Sequence, residues 1–262
     1  MLHISDLNVS VGGRHLLHNI DLNIAAGERV GLIGASGSGK SMIARTIMGL
    51  LPQDSEVTGS IELGDEQLVG LDDESFASLR GAAMSMVFQN PRNALNPVLT
   101  VEQQIELPLR LHYALDAENR HQRVATMLER VGLSQSMAQR STTELSGGQQ
   151  QRVAIATALI TSPRLIIADE PTTALDSTTQ RQITQLLTSL VDDLGAAMLF
   201  ITHDFSVLAH ATNNVVVLNN GSIIERGSTR ELLEHPQQQA TRQLIGAARA
   251  LSLHIEEGGA HE

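Results

Sequence analysis

Gly34-Ala35-Ser36-Gly37-Ser38-Gly39-Lys40-Ser41 fits the pattern G-x-x-x-x-G-K-[ST] at every fixed position. The residues before it, Glu28-Arg29-Val30-Gly31-Leu32-Ile33, read as a short buried strand, and Ile43, Ile47 and Leu50 after it recur at helical spacing. Strand, glycine loop and helix therefore follow one another in the order a phosphate cradle needs. Glycines let the loop turn tightly with its backbone N–H groups pointing inward, and the helix N-terminus adds partial positive charge at the same spot. Lys40 is expected to reach the β- and γ-phosphates of a nucleotide, and the Ser41 hydroxyl to ligate Mg²⁺.

Outward from this stretch the chain alternates strands and helices. Residues 2 to 24 alternate in polarity around the turn Gly12-Gly13-Arg14, which predicts two antiparallel strands. Val57–Leu63 predicts another strand, and Met84–Phe88 a buried one ending at Gln89, with Asn90-Pro91 and Asn96-Pro97 blocking helix on both sides of a short loop. Thr100 to Ile160 has helical spacing, with Ile105, Leu107, Leu109 and Leu111 in one segment and Val124, Met127, Leu128 and Val131 in the next. Strands return at Leu165–Ala168 and Ala197–Ile201, separated by a helix from Thr178 to Leu194. Val215–Leu218 and Ile223–Glu225 form a hairpin around Asn219-Asn220-Gly221. This order implies a largely parallel sheet that binds ligands at the C-terminal ends of its strands.

Three further groups fall at such positions. Leu165-Ile166-Ile167-Ala168 delivers two adjacent carboxylates, Asp169 and Glu170. Successive residues at a strand end point differently, so Asp169 can approach Mg²⁺ while Glu170 orients or deprotonates a water. A lone histidine is ordinarily a packed or solvated one, but His203 shares its strand-end position with Gln89 and Asp169, which marks it as part of the same site. In Leu145-Ser146-Gly147-Gly148-Gln149, Ser146 is a plausible N-cap and the paired glycines expose N–H groups at a helix start, making a second anion-binding device.

The Walker A loop at Gly34–Ser41, Gln89, the LSGGQ signature at Leu145–Gln149, Walker B at Leu165–Asp169 with Glu170, Ala174-Leu175-Asp176 and His203 occur in the order of an ABC-transporter ATPase subunit, which the chain resembles over almost its whole length. Val87-Phe88-Gln89-Asn90-Pro91, Ala94-Leu95-Asn96-Pro97 and Ile166 to Asp176 are similar to the ATPases of peptide and nickel importers. The resemblance implies an α/β P-loop NTPase fold with a RecA-like core, an N-terminal antiparallel β-subdomain and an inserted helical subdomain (about 92–160). These make one domain, 1–250, followed by a tail at 251–262. It implies ATP and Mg²⁺ as ligands, in a head-to-tail dimer where ATP lies between Gly34–Ser41 of one subunit and Ser146, Gly147, Gly148 and Gln149 of the other. Lys40 and the loop from Gly34 through Ala35, Ser36, Gly37, Ser38 and Gly39 would hold the phosphates. Ser41, Gln89 and Asp169 would serve Mg²⁺, Glu170 would be the general base, His203 would contact the γ-phosphate and Asp176 would couple the two sites. Closing the dimer would complete the catalytic set.

The implied partners are two permease subunits, a second similar ATPase and, indirectly, a solute-binding protein. The segment after Gln89 would dock a coupling helix of a membrane subunit at the cytoplasmic face of the inner membrane. An exporter ATPase is the nearer alternative, and a soluble ABC protein of DNA repair or translation the more distant one. The family usually stacks adenine on an aromatic near the end of the first strand, where this chain has Val11, with His15 and His18 close by. His235-Pro236-Gln237 to Arg242 keeps only part of the His-Pro-Tyr-Thr motif of peptide-type ATPases, which looks closer to the nickel or metallophore branch.

Composition narrows the choices. Eighteen Lys and Arg against 29 Asp and Glu give a net charge of −11, which repels a nucleic-acid backbone. The chain has no Cys, which excludes disulfides and thiolate metal sites within it, and its five aromatics give no base-stacking platform for single strands. No basic segment followed by an apolar stretch opens the chain and no run of about 18 apolar residues occurs, so a soluble subunit that meets the membrane through partners is expected.

Overall fold

Alternating polarity along Leu2–Val11 (β1) and Arg14–Ile24 (β2) buries one face of each strand. Asp6, at φ 46°, accompanies a register shift between Ile4 and Leu7 that returns Leu7 and Val9 to the buried face. The computed structural model describes residues 1–173 and 175–246. The expected tail at 251–262 lies outside the described residues, as does Ala174.

After β2 come Arg29–Ile33 (β3), the glycine loop, Lys40–Ile47 (α1), Ser55–Leu63 (β4) and Glu66–Gln67 (β5). Asp73–Leu79 (α2) and Met84–Val87 (β6) precede a helical stretch of Pro91–Ala94 (α3), Val101–His112 (α4), Ala117–Arg130 (α5) and Gly147–Leu159 (α6). The chain then runs through Leu165–Asp169 (β7), Ser177–Leu194 (α7), Ala197–Thr202 (β8) and Phe205–Ala211 (α8). Asn214–Asn219 (β9), Ser222–Ser228 (β10) and Thr229–Glu234 (α9) follow.

Two sheets result. β2-β1-β4-β5 is antiparallel, and β10-β9-β3-β8-β7-β6 is parallel except for β10, which pairs antiparallel with β9 at one edge. The inner strands of the larger sheet, β3, β7, β8 and β9, are buried on both faces, as their continuous apolar runs require. Ile166, Ala168, Met198 and Phe200 face a core shared with α4 to α8, while Leu165, Ile167, Leu199 and Ile201 face a core shared with α1 and the antiparallel sheet. This is the α/β fold expected, with the antiparallel sheet first and the helical segment inserted between β6 and β7. No helix among the described residues is long and apolar enough to cross a membrane.

Local expectations changed at three places. Asn90-Pro91 starts a helix instead of blocking one: the Asn90 side chain accepts the Arg92 N–H at 3.0 Å, and Pro91 sits in the first turn, where its missing N–H costs nothing. The strand before it ends at Val87, leaving Phe88 41% exposed instead of buried. Within α4, Ile105 and Leu109 are buried one turn apart, whereas Leu111 is 70% exposed, because the segment follows the helical period and not the alternation of its leucines.

Candidate functional site

The loop from Gly34 to Gly39 is shaped by contacts that only glycine permits. A Cβ on Gly34 would lie 2.2 Å from the Leu218 carbonyl oxygen and 2.6 Å from Ser38 Oγ, and Gly39 has φ 108°. Gly39 caps α1 without a side chain, and the N–H groups of Gly39, Lys40 and Ser41 meet no protein acceptor among the described residues. Ser38 Oγ is buried without a partner. Donors left open at a helix start fit an anion. Lys40, only 6% exposed, donates to the carbonyls of Gly34 (2.8 Å) and Ala35 (3.0 Å). Burial pushes its pKa down, opposed by the nearby charges of Glu170 and Asp169.

Neighbouring parallel strands bring the remaining groups to the same edge. Asp169, the last residue of β7, accepts a hydrogen bond from Ser41 Oγ at 3.2 Å; burial raises its pKa and the Ser41 bond works against that shift. Glu170 follows in the left-handed region, φ 48°, with its N–H donating to the Ile201 carbonyl at 2.9 Å. Gln89 comes from the end of β6 and donates through Nε2 to Glu170 Oε2 at 2.9 Å. His203, just past β8, places Nδ1 3.2 Å from Glu170 Oε1. Thr173 Oγ1 also donates to Glu170 Oε2 at 2.9 Å, a contact the sequence reading did not single out. Its only sequence signal was a hydroxyl three residues after the second carboxylate of a strand end.

Lys40, Ser41, Gln89, Asp169, Glu170 and His203 thus converge within one subunit. Ser146 to Gln149 do not join them through any hydrogen bond among the described residues. Ser146 and Gln149 form a reciprocal capping box at the start of α6, whose Gly148 lies against Thr179 of α7. Asp176 caps α7 by accepting the N–H groups of Thr178 and Thr179, and the bonds to Thr179 and Thr178 hold its carboxyl below the usual range. At the end of β1, Val11 is half-buried; His15 Nδ1 lies 2.9 Å from Ser10 Oγ, and the His15 and His18 rings are 6.2 Å apart.

The family model described as ABC transporter matches residues 17–173, so the chain belongs to the ABC transporter family, as one of its ATPase subunits. It is 40% identical to the oligopeptide transport ATP-binding protein OppD of Lactococcus lactis subsp. cremoris over 232 residues, which is 87% of this chain and 69% of that protein. It is also 40% identical to the uncharacterized ABC transporter ATP-binding protein YejF of Escherichia coli, covering 92% of this chain and 47% of YejF. Among solved structures, a dimeric post-hydrolysis state of the ATP-binding cassette MJ0796 bound to ADP and Pi superposes with a TM-score of 0.77 at 34% identity. That match covers 88% of this chain and 99% of the other.

Proposed function

We propose that this chain hydrolyses ATP to power a membrane importer of the peptide, nickel or metallophore type, and the oligopeptide relatives favour peptides. The observation that carries the chemistry is the meeting of Glu170 with Gln89 and His203 beside the pair Ser41–Asp169 and the open donors of the glycine loop. Phosphates would take the open N–H groups of Gly39, Lys40 and Ser41 in the loop Gly34–Ser41 and the Lys40 ammonium, which exchanges its two carbonyl contacts for a charged partner. Ser41, Asp169 and Gln89 are the residues that would hold Mg²⁺. When bound, the ion would neutralise charge on the phosphates. The Ser41 hydroxyl and the Asp169 carboxylate, 3.2 Å apart, offer the oxygen donors such an ion takes. Glu170 would accept the proton of the attacking water as its oxygen bonds to the γ-phosphorus and the bond to ADP breaks; His203 would face the γ-phosphate.

Ser146, Gly147, Gly148 and Gln149 supply a second set of helix-start donors on the same chain, remote in bonding from the first. We read them as the wall offered to a partner ATPase, with Asp176 between the two sites and the helical segment about 92–160 as a subdomain of a domain spanning 1–250. Phe88 and Val98, 41% and 85% exposed, flank the loop after Gln89 and would receive a permease helix on the cytoplasmic face of the membrane. Two permeases, a second ATPase and a solute-binding protein complete this assembly. The test is Glu170→Gln: it should abolish steady-state ATP hydrolysis while preserving ATP binding and prolonging an ATP-bound dimer, seen by light scattering after size exclusion. Brisk turnover would remove Glu170 from the role of base.

A further inference from the structure

Glu170 occupies a backbone conformation that a glutamate adopts at a cost, φ 48°, immediately beyond β7. Its conformation is fixed at both ends: the Glu170 N–H donates to the Ile201 carbonyl at 2.9 Å, and the Thr173 N–H donates to the Glu170 carbonyl at 3.3 Å. The backbone position is therefore set, but three side-chain torsions still separate it from the carboxylate that must meet a water. The three side-chain contacts described above divide that task unequally. His203 approaches Oε1 and is 56% exposed; Gln89 reaches Oε2 from the end of another strand. Thr173 alone belongs to the same turn as Glu170, so its hydroxyl travels with the carboxylate.

We propose that Thr173 is a positioning residue for ATP hydrolysis, its hydroxyl holding Glu170 Oε2 so that the carboxylate keeps its aim when Gln89 turns toward the nucleotide. The inference rests on the reading of Glu170 as the general base. A carboxylate oxygen accepts two hydrogen bonds, so Gln89 and Thr173 share Oε2 in this structure. When Gln89 departs, one charge-assisted bond stays on that oxygen, and the β-branched threonine, stiff at its first torsion, limits the directions in which the carboxylate can swing. General-base catalysis depends on that aim, because a base out of hydrogen-bond reach of the water contributes little.

The test compares Thr173→Val, Thr173→Ala and Thr173→Ser in the full chain by steady-state hydrolysis and equilibrium ATP titration. Removing the hydroxyl should lower kcat about tenfold while KM and the ATP Kd stay within about twofold, and Thr173→Ser should restore most of the rate. A wild-type kcat in the Val or Ala variant, with Glu170→Gln inactive, overturns the positioning role alone. A parallel loss of ATP affinity, or a serine variant as slow as the valine one, makes the contact a structural tie of the turn and overturns it too. Near-normal hydrolysis by Glu170→Gln overturns the reading of the base, and this inference with it.

Discussion

Asp169 at the end of β7 and Lys40 at the start of α1 bring opposite charges to one site, and burial opposes both. Burial raises the Asp169 pKa, with the Ser41 hydroxyl acting in the other direction, so the folded chain holds that proton more firmly than the unfolded one. The stability associated with this site is fully present below the ordinary carboxylate pKa and is lost as pH rises through the elevated folded value. Asp169→Asn should therefore raise the Tm of the nucleotide-free protein at pH 7.5. The gain should vanish near pH 4 in thermal melts, and magnesium-dependent ATP binding should weaken at every pH. The loop motif made Lys40 and Ser41 legible in the sequence, and the apolar run Leu165–Ala168 made Asp169 legible as the residue at a strand end. Thr173 was not legible, since a threonine in a turn carries no mark of which carboxylate it faces.

Helix starts do much of the positioning at the next scale. The reciprocal bonds between Ser146 and Gln149 satisfy two N–H groups at the start of α6 and set the direction in which Gly147 and Gly148 present theirs. Ser146→Ala should cost about 1 kcal/mol of stability in denaturant unfolding, the usual loss of an N-cap. If the partner closes on this helix, hydrolysis should fall far more than that, while ATP binding to the separate subunit stays near normal. The Ser146 cap was readable from its own residue and the helix that follows. The cap at Asn90 was misread, because a proline that breaks a helix interior is neutral in its first turn and the sequence alone does not say which turn it occupies.

Across the whole molecule, the two sheets meet at the phosphate loop. The Gly221 carbonyl accepts the His18 N–H at 2.8 Å, and the Gly221 N–H donates to the Ser38 carbonyl at 2.9 Å, so the β9–β10 turn ties β2 to the loop. Gly221 has φ 76°, and a Cβ there would lie 2.2 Å from the Leu16 carbonyl oxygen. Gly221→Ala should lower the Tm and weaken ATP binding together, by about tenfold in a nucleotide titration, because strain of this kind moves backbone instead of a flexible side chain. Unchanged affinity beside a lowered Tm would separate the sheet junction from the loop.

The order of motifs, the alternation of strands and helices and the apolar faces of the larger sheet were determined by the sequence itself, because local periodicity and strand-end position are written along the chain. Tertiary structure alone decided what those residues do to one another. Strand order placed β6, β7 and β8 side by side, and so brought Gln89, Glu170 and His203 onto one carboxylate from positions 81 and 33 residues apart. It also left Ser146–Gln149 facing another helix start instead of the glycine loop. Distance along a chain does not encode which strand ends become neighbours; the burial of both sheet faces does.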